Sequence, residues 1–475
     1  MVNKTKIIAT IGPACDNSAT LQSMVDAGVN AFRLNMSHGD KTSKQKMYHL
    51  IKSLQSKNGQ RPYIITDLAG PKIRITDVLE DFVLEEGQAV TITNEKEADN
   101  EHICVTNKIG FTNVSEGARI LINDGRIQLK IVKAISPYSL KCQTEIGGNV
   151  QLKRGVNFPG ITLDLPILTK QDKSDLIMAL EEGADWIALS FVRSAEDLDE
   201  VTKVMDELNI HLPVMAKIEK WEALNNIDAI TESFDAVMVA RGDLGVEIPA
   251  EQVPLAQKNI IKVAGSLGKP VIIATQMLES MTENPQPTRA EVTDVHNAVI
   301  DGSDAIMLSG ETSIGKFPVR SVEFMKEIAE IAEKNINNNY LRKLRFDHVT
   351  ASNAQNIDEF IAHGAADIAE QLNAKLIVAF TESGSTAARV ASYKPSKPVI
   401  ALSPDPKAHI SLSLRWGVYT IKAKNLSNIE EMFQFAEDMV SNEKLAKKGE
   451  TIIVVAGLPI GFKGNTNLIR VITIK

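Results

Sequence analysis

Cysteine is scarce, with three in 475 residues (Cys15, Cys104, Cys142) and no CxxC pair. Neither a disulfide framework nor a thiolate zinc site is expected, and a reducing compartment suits this usage. Aromatic residues, at 5 %, are too sparse for the stacking platforms of single-strand nucleic-acid binders. Positive charge is in deficit as well: 52 Lys and Arg against 60 Asp and Glu leave a net charge of -8. Nucleic acid is therefore not an expected partner, and an anionic ligand must meet a local cluster of cations. No apolar run approaches the roughly 20 residues that span a bilayer, so no membrane partner is expected. The first residues, Met1 to Ile8, lack the basic region and long apolar stretch of a secretion leader, and the expected location is cytoplasmic. The remaining composition, 44 % hydrophobic and 24 % charged, is that of a globular chain long enough for several domains.

Eight short apolar runs ending in polar residues alternate with amphipathic stretches. They are Lys6–Ile11, Ala31–Met36, Tyr63–Asp67, Trp186–Phe191, Val214–Glu219, Ala236–Arg241, Val271–Gln276 and Ala305–Ser309. Helical patterns lie between most of them, as at Ser18–Ala27, Asp172–Glu182, Ala195–Leu208, Pro254–Ser266 and Arg289–Ile300. Eight βα units in series predict an α/β protein built on a TIM (β/α)8 barrel, with function at the C-terminal ends of the strands. A recurring helix end supports the repeat: Ala27-Gly28-Val29-Asn30, Glu182-Gly183-Ala184-Asp185 and Asp301-Gly302-Ser303-Asp304.

The series breaks after the third run. Between Pro71 and Leu165, short β-like runs (Ala89–Thr93, Ala118–Ile122, Arg126–Lys133) are separated by turn signals such as Asn123-Asp124-Gly125. The expected domains are a barrel in two parts (1–70 and 166–340), an inserted β-barrel lid (71–165) returning through Lys153–Gly160, and a C-terminal α/β domain (341–475). A helical stretch, Val319–Asn335, and the polar Asn335–Tyr340 lead into the last domain. There helices at Ile357–Leu372 and Ala387–Ser392 alternate with strands at Leu376–Phe380, Pro398–Leu402, Gly417–Lys422, Thr451–Ala456 and Leu468–Ile474. No further module is expected after it.

Lys217 and Glu219 lie two apart at the end of the fifth run, so they share a face that opens at the strand top. Arg33, Asn35 and Ser37 follow the same period at the second run. Arg241-Gly242-Asp243 after the sixth adds a carboxylate able to join Glu219 on one hard divalent cation, since Mg²⁺ takes one or two carboxylates plus water and substrate oxygens. Thr275 and Ser309 bring hydroxyls to the seventh and eighth strand ends, and Thr66-Asp67, Lys72 and Arg74 follow the third. A single charged strand end is usually solvated or paired, but so many on one rim read as a site. Gly310–Lys316 mimics a phosphate-binding loop, yet Phe317 stands where Ser or Thr must follow, and that reading is rejected. Eight scattered histidines exclude a zinc pattern, and Cys15, with no adjacent base, reads as structural. Thr381-Glu382-Ser383-Gly384-Ser385-Thr386 joins a strand to a helix. Its hydroxyls and helix-start amides suit a phosphate, at a regulatory rather than catalytic position.

Several long motifs, in order, resemble the pyruvate kinase family over essentially the whole chain. They are Thr5–Ala14, Arg33–Gly39, Gly70-Pro71-Lys72-Ile73-Arg74, Ala240–Gly245, Ala274–Ser280, Pro287–Glu291 and Met307–Thr312. The resemblance implies transfer of the phosphoryl group of phosphoenolpyruvate to ADP, giving pyruvate and ATP. It implies that Glu219 and Asp243 hold Mg²⁺, for which Mn²⁺ can substitute. Lys217 would stabilise charge on the phosphoryl group and the enolate, and Arg33 would hold the transferring phosphate. Backbone at Ala240, Arg241 and Gly242 with Thr275 would hold the substrate carboxylate, and Thr275 and Ser309 would help deliver the proton. Arg74 and Arg154, with Asn35 and His38, would meet the nucleotide. A homotetramer is implied by resemblance alone.

One departure concerns potassium. Members of the family that need K⁺ typically carry Asp-Thr-Lys-Gly-Pro-Glu, whereas this chain has Asp67-Leu68-Ala69-Gly70-Pro71-Lys72. Leu68 removes a hydroxyl ligand and Lys72 supplies an ammonium, so K⁺ is expected not to be required, with Asn35, Ser37 and Asp67 as relics of the ion site. The Thr381–Thr386 loop matches the family's sugar-phosphate pocket, with Gly461–Asn467 as its closing loop. Lacking a second cationic grip at Leu458–Ile460, the pocket is expected to take a monophosphate, a sugar phosphate or AMP. The competing readings are another Mg²⁺ barrel enzyme acting on a phosphorylated or enolic acid, against which the lid arginines speak, and a non-catalytic phosphometabolite sensor, against which the intact charge set speaks.

Overall fold

Eight runs of four or five residues, rich in Ile, Val, Ala and Met and largely buried, are what a parallel sheet covered by helices demands. In the computed structural model they are β1 (Lys6–Thr10), β2 (Ala31–Asn35), β3 (Tyr63–Asp67), β4 (Trp186–Leu189), β5 (Val214–Ile218), β6 (Ala236–Ala240), β7 (Val271–Ala274) and β8 (Ala305–Leu308). The described residues are 3–475 apart from 58, 81, 96–97, 100, 107–109, 112–113, 352–355, 427 and 461–464. The strands close into a barrel in the order β1-β8-β7-β6-β5-β4-β3-β2, every pairing parallel. Ile8, Ile65, Trp186, Met215, Met238, Ile272 and Met307 fill its interior. The surrounding helices start on well-formed caps, such as the reciprocal boxes of Thr169 with Asp172 and Thr288 with Glu291. The recurring glycine has a conformational reason: Gly28, Gly183 and Gly302 all take positive φ as the chain turns from helix to strand.

Between β3 and β4 the chain leaves the barrel and forms a seven-stranded sheet, together with a two-stranded ribbon pairing Val83–Leu84 with Gly148–Asn149. Asn123 and Asp124 adopt left-handed conformations at the anticipated turn. The two stems of the insertion pair with each other. Arg74 bridges Gly155 in antiparallel register, Val156 N donates to Ile73 O and Ile75 N donates to Arg154 O. The sheet encloses its own core, in which Phe111 and Phe158 approach with ring centroids 5.6 Å apart.

The C-terminal domain is a five-stranded sheet ordered 418–422, 399–403, 376–380, 451–456, 468–473, with only the last strand antiparallel. All five anticipated strands are present. Three helices went unanticipated: Asn338–Ala351, within and beyond a stretch read as polar connection, Pro406–Leu412 and Ile429–Asn442. The first buries Arg342 and Arg345, which its charge disguised: Arg345 pairs with Glu359 at 2.7 Å and Arg342 with Asp367 at 2.6 Å. Among the described residues, no helix is long and apolar enough to cross a membrane.

This domain docks on the N-terminal end of the barrel through polar contacts. Trp186 Nε1 donates to Ser413 Oγ at 2.9 Å, Lys394 Nζ to Asp304 Oδ1 at 2.7 Å and Lys6 Nζ to Val418 O at 2.7 Å. Lys6 is buried, its ammonium also lies 4.5 Å from the Tyr419 ring centroid, and burial pulls its pKa down to about 8. A lysine depressed in the folded state binds fewer protons there than in the unfolded chain between about pH 8 and pH 10.5, so stability gains from Lys6 as pH rises through that window. Whatever the offset at neutral pH, the unfolding free energy of the parent relative to Lys6→Met should rise from pH 8 to pH 10. Urea titrations at both pH values check this, and a pH-independent difference refutes it.

Candidate active site

Three strand ends put opposite charges in contact at the barrel's C-terminal rim. Asp67, ending β3, is buried with both carboxylate oxygens engaged: Arg33 Nε lies 2.5 Å from Oδ2 and Lys217 Nζ 3.1 Å from Oδ1. Lys217 also lies 2.8 Å from Glu219 Oε1 and donates to Ser190 Oγ at 2.7 Å. Burial opposes ionisation of Asp67, but Arg33 and Lys217 outweigh it and hold its carboxyl below the usual range. Burial would likewise strip the proton from Lys217, yet Asp67 and Glu219 overcome this and raise its pKa, so it stays an ammonium. Burial raises the Glu219 carboxyl against the pull of Lys217, with Asp243 adding to the rise. A permanent cation is thus held by two buried anions beside the open rim.

Glu219 Oε2 accepts from Phe191 N at 2.9 Å, and Asp243 Oδ1 lies 3.3 Å from Lys72 Nζ. Glu219 and Asp243 suit a hard cation that takes two carboxylates and completes its shell with water and substrate oxygens. Among the described residues no group of three or more His, Cys, Asp or Glu offers a cage. Asn35 Oδ1 accepts from Ser37 N at 3.0 Å, and His38 is exposed beside them. Leu68 is fully buried, and its carbonyl accepts from Ser190 Oγ at 2.7 Å.

The opposite side of the rim is built on strain. Thr275, following β7, has φ 69°, and Gln276 φ 53°, values a β-branched residue adopts only when its surroundings compel it. Arg241 compels it. Its guanidinium donates to Thr275 O at 2.7 Å and to Gln276 O at 3.1 Å, and is itself held by Asp294 at 2.6 Å. Thr275 Oγ1 accepts from Gly242 N at 2.8 Å and donates to Ala274 O at 2.6 Å. Ser309 Oγ is buried without a partner among the described residues, while Glu311 accepts from Ser309 N and Leu278 N, tying the ends of β8 and β7 together. Arg74 and Arg154 stand on the paired stems of the insertion: Arg74 NH1 donates to Lys153 O at 3.0 Å and Arg154 NH2 to Gln151 Oε1 at 2.8 Å.

In the C-terminal domain an open cleft is lined by Thr381, Glu382, Ser385 and Thr386. Gly384, at φ 92°, starts the Ser385–Ser392 helix and has no side chain with which to cap it, and Ser385 and Thr386 of its first turn line the cleft. Ser383 Oγ donates to Ser385 Oγ at 3.3 Å. Gly461–Asn467 lies in part outside the described residues (461–464); of its remainder, Asn465 lines the cleft.

Sequence reasoning passed over Ser190, Asp294 and Glu311, which position rather than present charge, and Lys424, which lines the cleft and pairs with Glu431 at 2.6 Å. Ser190 directly follows β4, much as Asp67 ends β3, so the strand-end rule could have found it. Lys424 follows a strand end by two residues within a polar run and gives no comparable signal.

Barrel, inserted lid, rim and cleft together define a phosphotransferase, and the comparisons agree. A family model for the pyruvate kinase barrel domain matches residues 2–322, and one for the pyruvate kinase alpha/beta domain matches 359–472. The chain belongs to the pyruvate kinase family. It is 40 % identical to the pyruvate kinase of Thermotoga maritima over 100 % of both chains, and 41 % identical to pyruvate kinase 2 of Synechocystis over 99 % of this chain and 79 % of that one. A solved pyruvate kinase from Cryptosporidium parvum superposes with TM-score 0.93 at 34 % identity, covering 100 % of this chain and 96 % of that one.

Asp67→Asn leaves two buried cations sharing too little negative charge. Breaking a buried ion pair in this way costs about 3–5 kcal/mol, so the urea midpoint of the barrel should fall clearly. An unchanged midpoint refutes the account of Asp67 as the anion that holds Arg33 and Lys217.

Proposed function

We propose that the chain transfers the phosphoryl group of phosphoenolpyruvate to ADP as a Mg²⁺-dependent, K⁺-independent enzyme of the cytoplasm, the last step of glycolysis, under control of a phosphorylated effector. The observation that carries this is Lys217, a buried ammonium fixed between Asp67 and Glu219 on the rim below the lid arginines. Phosphoryl transfer through a loose transition state needs positioning and positive charge more than covalent chemistry. Arg33 and Lys217 would grip the phosphate, while Arg74 and Arg154, with Asn35 and His38, would place the ADP phosphates in line. The P–O bond to the enol breaks as one to the ADP oxygen forms. Held by Glu219 and Asp243, Mg²⁺ (or Mn²⁺) would supply Lewis acidity at the transferring group.

The substrate carboxylate would settle at Ala240, Arg241 and Gly242, taking the Gly242 N–H that Thr275 Oγ1 now accepts at 2.8 Å. That exchange would free the Thr275 hydroxyl, which with Ser309 would pass a proton to the enolate carbon and give pyruvate. A closed lid would keep water from competing with ADP.

K⁺ independence is supported by Leu68, which has no hydroxyl, and by Lys72, whose ammonium is fixed at the rim beside Asp243. Two of the remaining side chains of the ion site also have partners within the chain, Asn35 with Ser37 N and Asp67 with Arg33 and Lys217. The Thr381–Thr386 cleft would take a sugar monophosphate or AMP, its phosphate on the Ser385–Ser392 amides. A homotetramer is proposed on the resemblance to the family alone.

The test is ADP-dependent pyruvate formation with Mg²⁺, without and with K⁺, using Lys217→Met as control. Turnover without K⁺ that the variant loses by at least about a thousandfold is expected, as for loss of a main electrostatic stabiliser. Turnover only with K⁺ rejects the reading of Lys72, and none under any condition rejects the enzyme in favour of a sensor. For the cleft, Ser385→Glu places a carboxylate where the phosphate would sit. It should raise the activation constant for glucose 6-phosphate or AMP at least about tenfold while kcat stays within about twofold. Unaltered activation would remove the loop from regulation.

A further inference from the structure

A second buried ion pair lies beside the catalytic strand end, and none of the chemistry above uses it. Lys220, one residue beyond Glu219, places Nζ 2.7 Å from Glu247 Oε1; the Glu247 side chain is only 1 % exposed. Glu247 closes the helix Arg241–Glu247, whose first turn carries Gly242 and Asp243. The same oxygen, Oε1, accepts from Asn157 Nδ2 at 3.2 Å, while Oε2 is buried without a partner among the described residues. Asn157 belongs to the short strand Val156–Asn157 of the lid sheet, three residues after Arg154 on the return stem. One carboxylate oxygen therefore joins the loop after Lys217 and Glu219, the helix bearing Asp243, and the lid.

The sharing has a physical consequence. Two donors aimed at one oxygen cannot be repositioned independently, and hydrogen bonds to a charged acceptor are about twice as strong as neutral ones. A further tie, Thr162 Oγ1 donating to Glu222 Oε1 at 3.1 Å, fastens the return segment to the barrel just beyond. Beyond them Arg193 donates to Leu163 O at 3.2 Å and to Leu165 O at 3.0 Å, and between these ties the stem crosses a cleft lined by Ile73, Phe158, Phe191 and Arg193, so the Asn157 contact is the tie nearest Arg154.

We propose that Asn157, acting through Glu247, is a positioning residue that fixes the lid at the angle from which Arg74 and Arg154 meet the nucleotide, and that ties this angle to the Asp243 helix. The inference rests on the reading of those arginines given above. It concerns ADP first, because Arg154 on the return stem is a nucleotide contact, whereas Arg33 and Lys217, which grip the phosphate, stand on barrel strands.

The experiment measures KM for ADP and for phosphoenolpyruvate, kcat and thermal midpoint in Arg154→Met, Asn157→Asp, Asn157→Ala and the double variant Asn157→Asp/Glu247→Gln. Asn157→Asp loses the donor and faces Glu247 with like charge. KM for ADP should rise about tenfold while KM for phosphoenolpyruvate stays within about twofold. Asn157→Ala, which adds no charge, should show a smaller rise in the same direction and serves if the aspartate variant does not fold. The double variant moves the charge across the contact and restores a donor–acceptor pair, with the relocated carboxylate available to Lys220. It should recover most of the lost ADP affinity, the coupling that a double-mutant cycle detects. If Arg154→Met raises KM for ADP but the Asn157 variants lower only the thermal midpoint, Asn157 is a structural tie and the inference fails alone. If Arg154→Met leaves KM for ADP unchanged, the nucleotide role of the lid fails, and the inference with it.

Discussion

The rim depends on a single buried anion. Asp67 neutralises Arg33 and Lys217 at once, and without it two cations would share a pocket that water hardly reaches. Burying charge is costly unless it is paired, so the arrangement persists because each oxygen of Asp67 has a partner, Arg33 from β2, which is hydrogen-bonded to β3, and Lys217 from β5, across the intervening β4. The result is positive charge that is fixed before any substrate arrives and needs no reorganisation to meet a developing negative charge. Ser190 and Phe191, at the end of β4, and Leu68, at the end of β3, complete the cradle.

Rigidity on this side is balanced by stored strain on the other. The left-handed backbone at Thr275 and Gln276 is maintained by Arg241, which is pinned by Asp294, so the hydroxyl at the seventh strand end is aimed by a guanidinium that itself does not reach into the rim. Glu311 plays the equivalent part for Ser309, with two backbone amides on one carboxylate.

The barrel, the insertion and the last sheet were legible because each obeys a simple pattern: buried parallel strands are short apolar runs, and an antiparallel insertion shows turns at close spacing. The Asn338–Ala351 helix was not legible, since the arginines it buries look like solvent-facing charge until the distant Glu359 and Asp367 are placed beside them. The same applies to the site. Lys217, Glu219 and Asp243 announce themselves by charge at strand ends. Asp294, Glu311 and Glu247 act through partners 53, 33 and 27 positions away or through backbone amides, and no local spacing encodes those contacts. Lys72 shows the limit from the other direction: the sequence marks it as an unusual cation, but only the fold pairs it with Asp243.

The insertion joins the barrel through two stems that are hydrogen-bonded to each other as an antiparallel ribbon at Ile73–Ile75 and Lys153–Val156. A ribbon of two paired strands flexes across its face far more easily than within its plane, because in-plane bending must stretch its cross-strand hydrogen bonds. Mechanically the lid is therefore a flap on one axle rather than a bead on a string, with the ties of Asn157 to Glu247 and Thr162 to Glu222 as the stops on its one soft swing. Two arginines mounted on opposite stems of that axle travel together, and the search for the productive geometry collapses from many independent rotations to one swing.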